Sequence, residues 1–229
     1  ILYHTMLSQN ILVRTGNILS LNEAKAKASQ NPTDEVITYF QIQGVEDNAL
    51  QGINREDVKI TVKVFISSPD VSLLKEAVDQ GMICSFLNIN AIESLVIAYS
   101  SKESPEELLE SLKHLWTGVE EYVRIGKLSS VGLSDLNTNT FIDLFQWANI
   151  KPNILQISLA TCCVVPPVLQ TFTKENDVQL LTHNDPGHLN GIFNANTSLY
   201  WVTRYQIHLK CRGILSSKGY LIYVNKKTK

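Results

Sequence analysis

The sequence predicts a single α/β domain over residues 1–229, built as a (β/α)8 barrel that is compact or incomplete. Three observations predict it. From Val58 onward, short β-rich apolar runs alternate with longer helical patterns, which is what a parallel sheet with crossover helices requires. The runs are apolar at nearly every position, as strands buried on both faces are. Counted with an early strand at Ile11 to Arg14, they approach eight, in a chain of 229 residues against roughly 250 for such a barrel. An open doubly wound sheet is the alternative, and no Gly-x-Gly-x-x-Gly turn after the first strand supports it.

Taken in order, the pattern before Val58 is weak: Asn22 to Gln30 reads as a short polar helix and Glu35 to Gln43 as a strand. The strands that follow are Val58 to Ile66, Ser94 to Tyr99, Leu128 to Leu133, Asn153 to Leu159 and Val178 to Thr182. Between the first two, Val71 to Phe86 carries Leu74, Ala77, Val78 and Met82 at helical spacing. The best-specified helix runs from Ser104 to Ile125. Ser104 and Glu107 have capping-box spacing, Pro105 takes the first helical position, and Gly126 falls where a left-handed cap ends a helix. Thr138 to Ala148 turns Phe141, Leu144 and Phe145 inward, and Pro166 to Lys174 does so with Leu169 and Phe172. Pro186 to Ser198 is dense in turn formers and predicts a surface loop. Leu199 to Lys210 then reads as a late helix bearing Trp201 and Tyr205, before a last strand opening at Ile214 and Leu215. Trp116, Trp147 and Trp201 each stand at helical spacing from apolar residues and are expected in the core.

The bulk properties exclude several functions. A formal net charge of -2 gives no global basic field for nucleic acid or anionic lipid. The apolar runs at Ile60 to Ile66 and Ile154 to Ala160 fall well short of the roughly 18 to 20 residues of a membrane span. Ile1 to Asn10 lacks the pattern of a secretory signal. Cys84, Cys162, Cys163 and Cys211 form neither a dense framework nor a Cys-x-x-Cys pair, which points to reduced thiols and a cytoplasmic location. His183, Asp185 and His188 have no metal-site spacing and no fourth ligand, so no metal is expected. Asn184, Asp185 and Pro186 read instead as turn formers. Lys226, Lys227 and Lys229 form a basic tail, a solvated end that could also steer an acidic partner.

Particular segments carry a resemblance. KLSSVGLSDL, Lys127 to Leu136, and PNILQISL, Pro152 to Leu159, are similar to consecutive barrel strands of the aldo-keto reductases. QISLATCCVVPPVLQTFTKENDVQLLTHNDP, Gln156 to Pro186, and RYQIHLKCRGILSSKGY, Arg204 to Tyr220, resemble the regulatory, or modifier, subunits of glutamate-cysteine ligase, a family with an aldo-keto-reductase-like barrel. Aldo-keto reductases place a proton on a developing alkoxide with a tyrosine assisted by lysine, aspartate and histidine. Lys63 matches the lysine, Ala98 stands where the histidine belongs, and no aspartate or acid tyrosine is found upstream. The resemblance therefore implies a barrel without catalysis, with Lys63 a vestige.

It further implies that Ser134, Asp135 and Gln156 stand where nicotinamide is held, His183 where an aromatic ring stacks, and Ser217 and Lys218 near a phosphate-binding run. NADP(H) binding without chemistry is thus an open reading, with no cofactor required. The family's partner is the ligase catalytic subunit, in a heterodimer that raises glutamate affinity and weakens feedback inhibition by glutathione. Cys162 and Cys163 would contact or crosslink that subunit, with a buried small hydrophobe as the alternative for either. Arg204, Tyr205 and Arg212 are the other expected contacts. Rival readings are an active reductase and an NADP(H) sensor. The lack of a Walker-type glycine loop gives this chain no ATP site of its own.

Overall fold

The computed structural model describes residues 10–14, 54–83, 89–158, 165–183, 185, 197–211 and 213–226. In chain order the elements are β1 (Asn10–Arg14), a 3-10 turn (Arg55–Asp57), β2 (Val58–Ile66), α1 (Val71–Ile83), β3 (Ile92–Tyr99), α2 (Pro105–Arg124) and β4 (Leu128–Ser134). There follow α3 (Thr138–Trp147), β5 (Ile154–Ser158), α4 (Pro167–Glu175), β6 (Gln179–His183), β7 (Thr197–Leu209) and β8 (Ile214–Lys226).

The strands form one eight-stranded sheet in the order β1-β8-β7-β2-β3-β4-β5-β6. From β2 to β6 the strands are parallel and lie side by side in sequence order. Right-handed crossovers, the rule for such units, then place every helix on the same side. Successive helices accordingly touch, α1 with α2, α2 with α3, and α3 with α4. This is barrel winding, because a doubly wound sheet reverses its strand order at a switch point. The remaining strands are antiparallel: β7 pairs with β2, β8 with β7 and β1 with β8. The architecture is therefore an incomplete (β/α)8 barrel whose parallel half is extended by an antiparallel half.

The strong element of the sequence forms for the expected reasons. The Ser104 side chain accepts the Glu107 N–H, the Glu107 side chain accepts the Ser104 N–H, and Pro105 opens α2. Gly126 follows the helix at φ 75°, a conformation in which only glycine avoids a Cβ penalty. Ser104→Ala should cost about 1 kcal/mol, read as a lower urea midpoint at constant m-value. A shift below about 0.3 kcal/mol would mean that water replaces the cap.

Alternation along β2 divides the sheet faces. Val58, Ile60, Val62, Val64 and Ile66 are buried in the large core shared with Leu74, Ala77, Val78 and Met82 of α1. The intervening Lys59, Thr61, Lys63 and Phe65 point to the other face, called here the inner face. There Val202, Ile222 and Val224 form a second apolar cluster with Phe65, Leu199 and Tyr220 against it. The parallel strands are thus apolar toward the helices and more polar inward, unlike the two-sided apolar strands expected.

The late helix is corrected: Leu199 to Lys210 lies in β7 and the turn after it. Trp201 to Tyr205 satisfies a helical spacing, yet the segment is rich in β-branched and aromatic residues and alternates with period two. Trp201, Thr203, Tyr205 and Ile207 line the helix side, and pairing with β2 from Trp201 to Leu209 outweighs local spacing. Trp116 and Trp201 are in the core as expected, whereas Trp147 is 41% exposed, with the Lys113 ammonium 5.8 Å from its ring centroid. The expected helix at Asn22 to Gln30, the strand at Glu35 to Gln43 and most of the loop before Ser198 lie outside the described residues.

Candidate functional site

Strand register brings the inward residues together at the C-terminal ends of the parallel strands, where barrels carry their sites. Lys63 faces Val96 across β3 and Arg204 across β7. Ser134 ends β4 opposite Gln156 of β5, and Ser158 of β5 stands opposite His183 of β6.

The Lys63 side chain is wholly buried and uses all three of its donors. Nζ donates to Ser134 Oγ at 2.7 Å, to Gln156 Oε1 at 3.0 Å and to Asp185 Oδ2 at 2.7 Å. Asp185 also pairs with Arg204, so one buried carboxylate answers two buried cations. Ser134 passes its hydrogen to Asp135 Oδ2 at 2.8 Å. Asp135 sits at φ 60°, a left-handed turn that aspartate tolerates better than most residues. There its side chain accepts the Ser158 N–H at 2.9 Å. His183 links the two carboxylates. Nε2 lies 2.9 Å from Asp135 Oδ2, and Nδ1 lies 2.9 Å from Asp185 Oδ2.

Burial, and then the Arg204 charge, pull the Lys63 ammonium down to about 7 against the pull of Asp135. Burial and the Lys63 charge lower His183, with Asp135 opposing. Burial likewise lowers Arg204. Tyr220, directly across from Arg204, is raised by burial, the wrong direction for a hydroxyl that must give up its proton to a substrate. Ala98 lies beside Phe65 in the β2–β3 register, so no imidazole reaches Lys63 from β3. Among the described residues the arrangement holds charge but shows no activated proton donor.

The structure brings Ser134, Asp135, Gln156 and His183 together around Lys63. It separates the last two expected cofactor contacts. Ser217 pairs with Ile207 and is fully buried on the helix side, while Lys218 pairs with Gln206 on the inner face. Ser134 Oγ, Gln156 Oε1 and the Asp135 carboxylate, which would read a nicotinamide amide, are already bonded to Lys63, His183 and the Ser158 N–H, so a nicotinamide would compete with those bonds. Arg204 and Tyr205 are corrected as partner contacts. Tyr205 is 1% exposed and faces the helix side, and Arg204 is 6% exposed within the cluster. Cys162, Cys163 and Arg212 lie outside the described residues. Sequence reasoning missed the roles of Asp185, read as a turn former, and Arg204. The available signal for Arg204 was a lone arginine at an inward position of a β-rich run. Among the described residues no cluster could hold a metal ion, and no described helix is long and apolar enough to cross a membrane.

No family model matches the chain. Among curated proteins, the glutamate–cysteine ligase regulatory subunit of Homo sapiens is 31% identical over 260 aligned positions, covering 96% of this chain and 94% of that protein. The chain belongs to the glutamate–cysteine ligase regulatory subunit family. The Bos taurus regulatory subunit is 32% identical over 94% of this chain and 92% of its own length. Because the human alignment spans more positions than this chain has residues, that family member carries internal segments absent here, in keeping with an incomplete barrel. Among solved structures, an aldose reductase from Giardia lamblia matches 66% of this chain and 52% of its own, with a TM-score of 0.44 and 22% identity. The parallel half is assigned to a barrel by its own winding and strand order, and that likeness carries none of the assignment.

Proposed function

We propose that this chain is a regulatory rather than a catalytic protein, which binds the catalytic subunit of glutamate–cysteine ligase as a heterodimer in the cytoplasm. The single observation that carries the reading is near full-length identity to regulatory subunits. The site geometry agrees with it. Lys63 is spent on Ser134, Gln156 and Asp185, so the position that activates a proton donor in the reductases is here a structural tie. Regulation then means tighter binding of the active than of the inhibited ligase conformation. A tenfold change in glutamate affinity needs only about 1.4 kcal/mol of such preference. Cys162, Cys163 and Arg212 remain the proposed contacts.

The test is the ligase rate against glutamate concentration, with and without this chain, at fixed ATP and cysteine. The apparent KM for glutamate should fall and glutathione inhibition should weaken, with no turnover from this chain alone. Unchanged kinetics together with separate elution of the two proteins would reject the reading. A second arm addresses NADP(H). Since a nicotinamide would compete with the bonds that Ser134, Asp135 and Gln156 already make, NADPH should not quench the tryptophan fluorescence of the chain; saturable quenching would restore the sensor reading.

A further inference from the structure

Helices α2 and α3 lie side by side and touch, and a cleft of about 520 Å³ opens between their N-terminal turns. Pro105, Glu106 and Leu109 of α2 wall one side; Thr140 and Asp143 of α3, with the Asn137 cap, wall the other. One turn further along the same helix faces, four residues on from Leu109 and from Asp143, stand Lys113 and Trp147. There the Lys113 ammonium lies 5.8 Å from the Trp147 ring centroid and bridges the two helices. The groove thus leads to Trp147, the one exposed aromatic side chain among the described residues. It lies on the helix side of the sheet, opposite the inner face that carries Lys63.

The charge in the cleft is one-sided. Glu106 and Asp143 are both exposed, and no lysine or arginine lines the cleft. Among the described residues neither carboxylate has an ion-pair or hydrogen-bond partner. Other acids of α2 are answered within the fold: Glu107 closes the capping box and Glu110 pairs with Lys113. The N-terminal dipole of α2 accounts for an acid at Glu106. It does not account for Asp143, which stands beyond the first turn of α3, where the effect of a helix end has faded. No group of described residues could hold a metal ion, which points to a cation carried by another chain.

We propose that this cleft is a docking seat for the catalytic subunit, taking a lysine or arginine side chain between Glu106 and Asp143 and an apolar neighbour against Leu109 and Trp147. Complementary charge fixes the register of such a contact. Tryptophan is among the residue types most enriched at binding hot spots, and at 41% exposure Trp147 has ring area left to cover. A second copy of this chain fits worse, because a two-fold contact through this face would set Glu106 and Asp143 against the same acids of its mate. The seat also stands in for contacts that the fold withdrew, since Arg204 and Tyr205 are buried. The identity of the partner rests on the regulatory reading; the chemistry of the seat does not.

The experiment is calorimetric titration of the catalytic subunit into the full chain, wild type and variants, with folding checked by the urea midpoint. Glu106→Lys combined with Asp143→Lys should weaken binding about tenfold or more and flatten its dependence on salt. Trp147→Ala should weaken it about tenfold or more at any salt. Glu175→Lys, the same charge change on α4, should leave Kd within about twofold. Wild-type affinity in either the double variant or Trp147→Ala overturns the seat. So does an equal loss in Glu175→Lys, which would make the effect one of net charge. Self-association of the chain alone that the double variant abolishes would give the face to a second copy and overturn the proposal too. No binding by the wild type rejects the regulatory reading and this partner with it, whereas binding that the variants leave intact rejects the seat alone.

Discussion

Gly132→Ala should destabilise the chain by about 3 kcal/mol or more, a fall in Tm on the order of 6–12 °C for a domain of this size. Gly132 pairs directly with Ile154 between β4 and β5. A Cβ there would overlap the Ile154 carbonyl oxygen and come within 2.5 Å of the Ile154 Cβ. Both obstacles are parts of a neighbouring strand rather than the end of a flexible side chain, so relief requires moving β5 away from β4. That movement would reach the site, because Ser134 and Gln156 lie two residues further along the same pair of strands and both bind Lys63. Chemical denaturation should show a lower midpoint with little change in m-value. A loss under about 0.5 kcal/mol would mean that the two strands sit further apart than described.

Asp185→Asn should cost a comparable 3–5 kcal/mol, since removing one partner of a buried ion pair leaves the other uncompensated. Here one carboxylate serves both Lys63 and Arg204, with the three side chains 7% exposed or less. The cost should depend on pH in a direction fixed by Lys63. Its folded-state pKa, about 7, lies below the ordinary 10.5, so between these values the unfolded chain binds more protons. Stability from this group therefore rises with pH across that window and falls as pH drops toward 7. The carboxylate favours the charged lysine, so the gap between wild type and variant should be widest below pH 7. It should narrow as pH rises through about 7, leaving the Arg204 part. Urea denaturation at pH 6 and pH 9 measures both arms, and a gap that is equal at the two values would show that Lys63 keeps its proton throughout.

Much of the fold was legible because it rests on local patterns. The capping box at Ser104 and Glu107, the stripe of α2, and the apolar runs of β2 to β5 are each written within a few residues of chain, and the structure forms them where they stand. The same local logic misread β7, whose Trp201 and Tyr205 satisfy a helical spacing but are held in a strand by pairing with β2, more than a hundred residues earlier. Resemblance, not local pattern, singled out Ser134, Asp135, Gln156 and His183; Ser134, Gln156 and His183 stand on strands and Asp135 just past the end of β4.

The sequence by itself determined the β/α repeat, the helix that begins at Ser104, the family, and the replacement of a catalytic histidine by Ala98. Only the tertiary structure decided that the later strands run antiparallel, that Ser217 faces the helices while Lys218 faces inward, and that Asp185 joins Lys63 to Arg204. Those outcomes depend on strand register and on groups far apart in the chain, 122 residues in the case of Lys63 and Asp185. A sequence records which charges exist; which of them must share a buried site is settled when strands from distant segments pair.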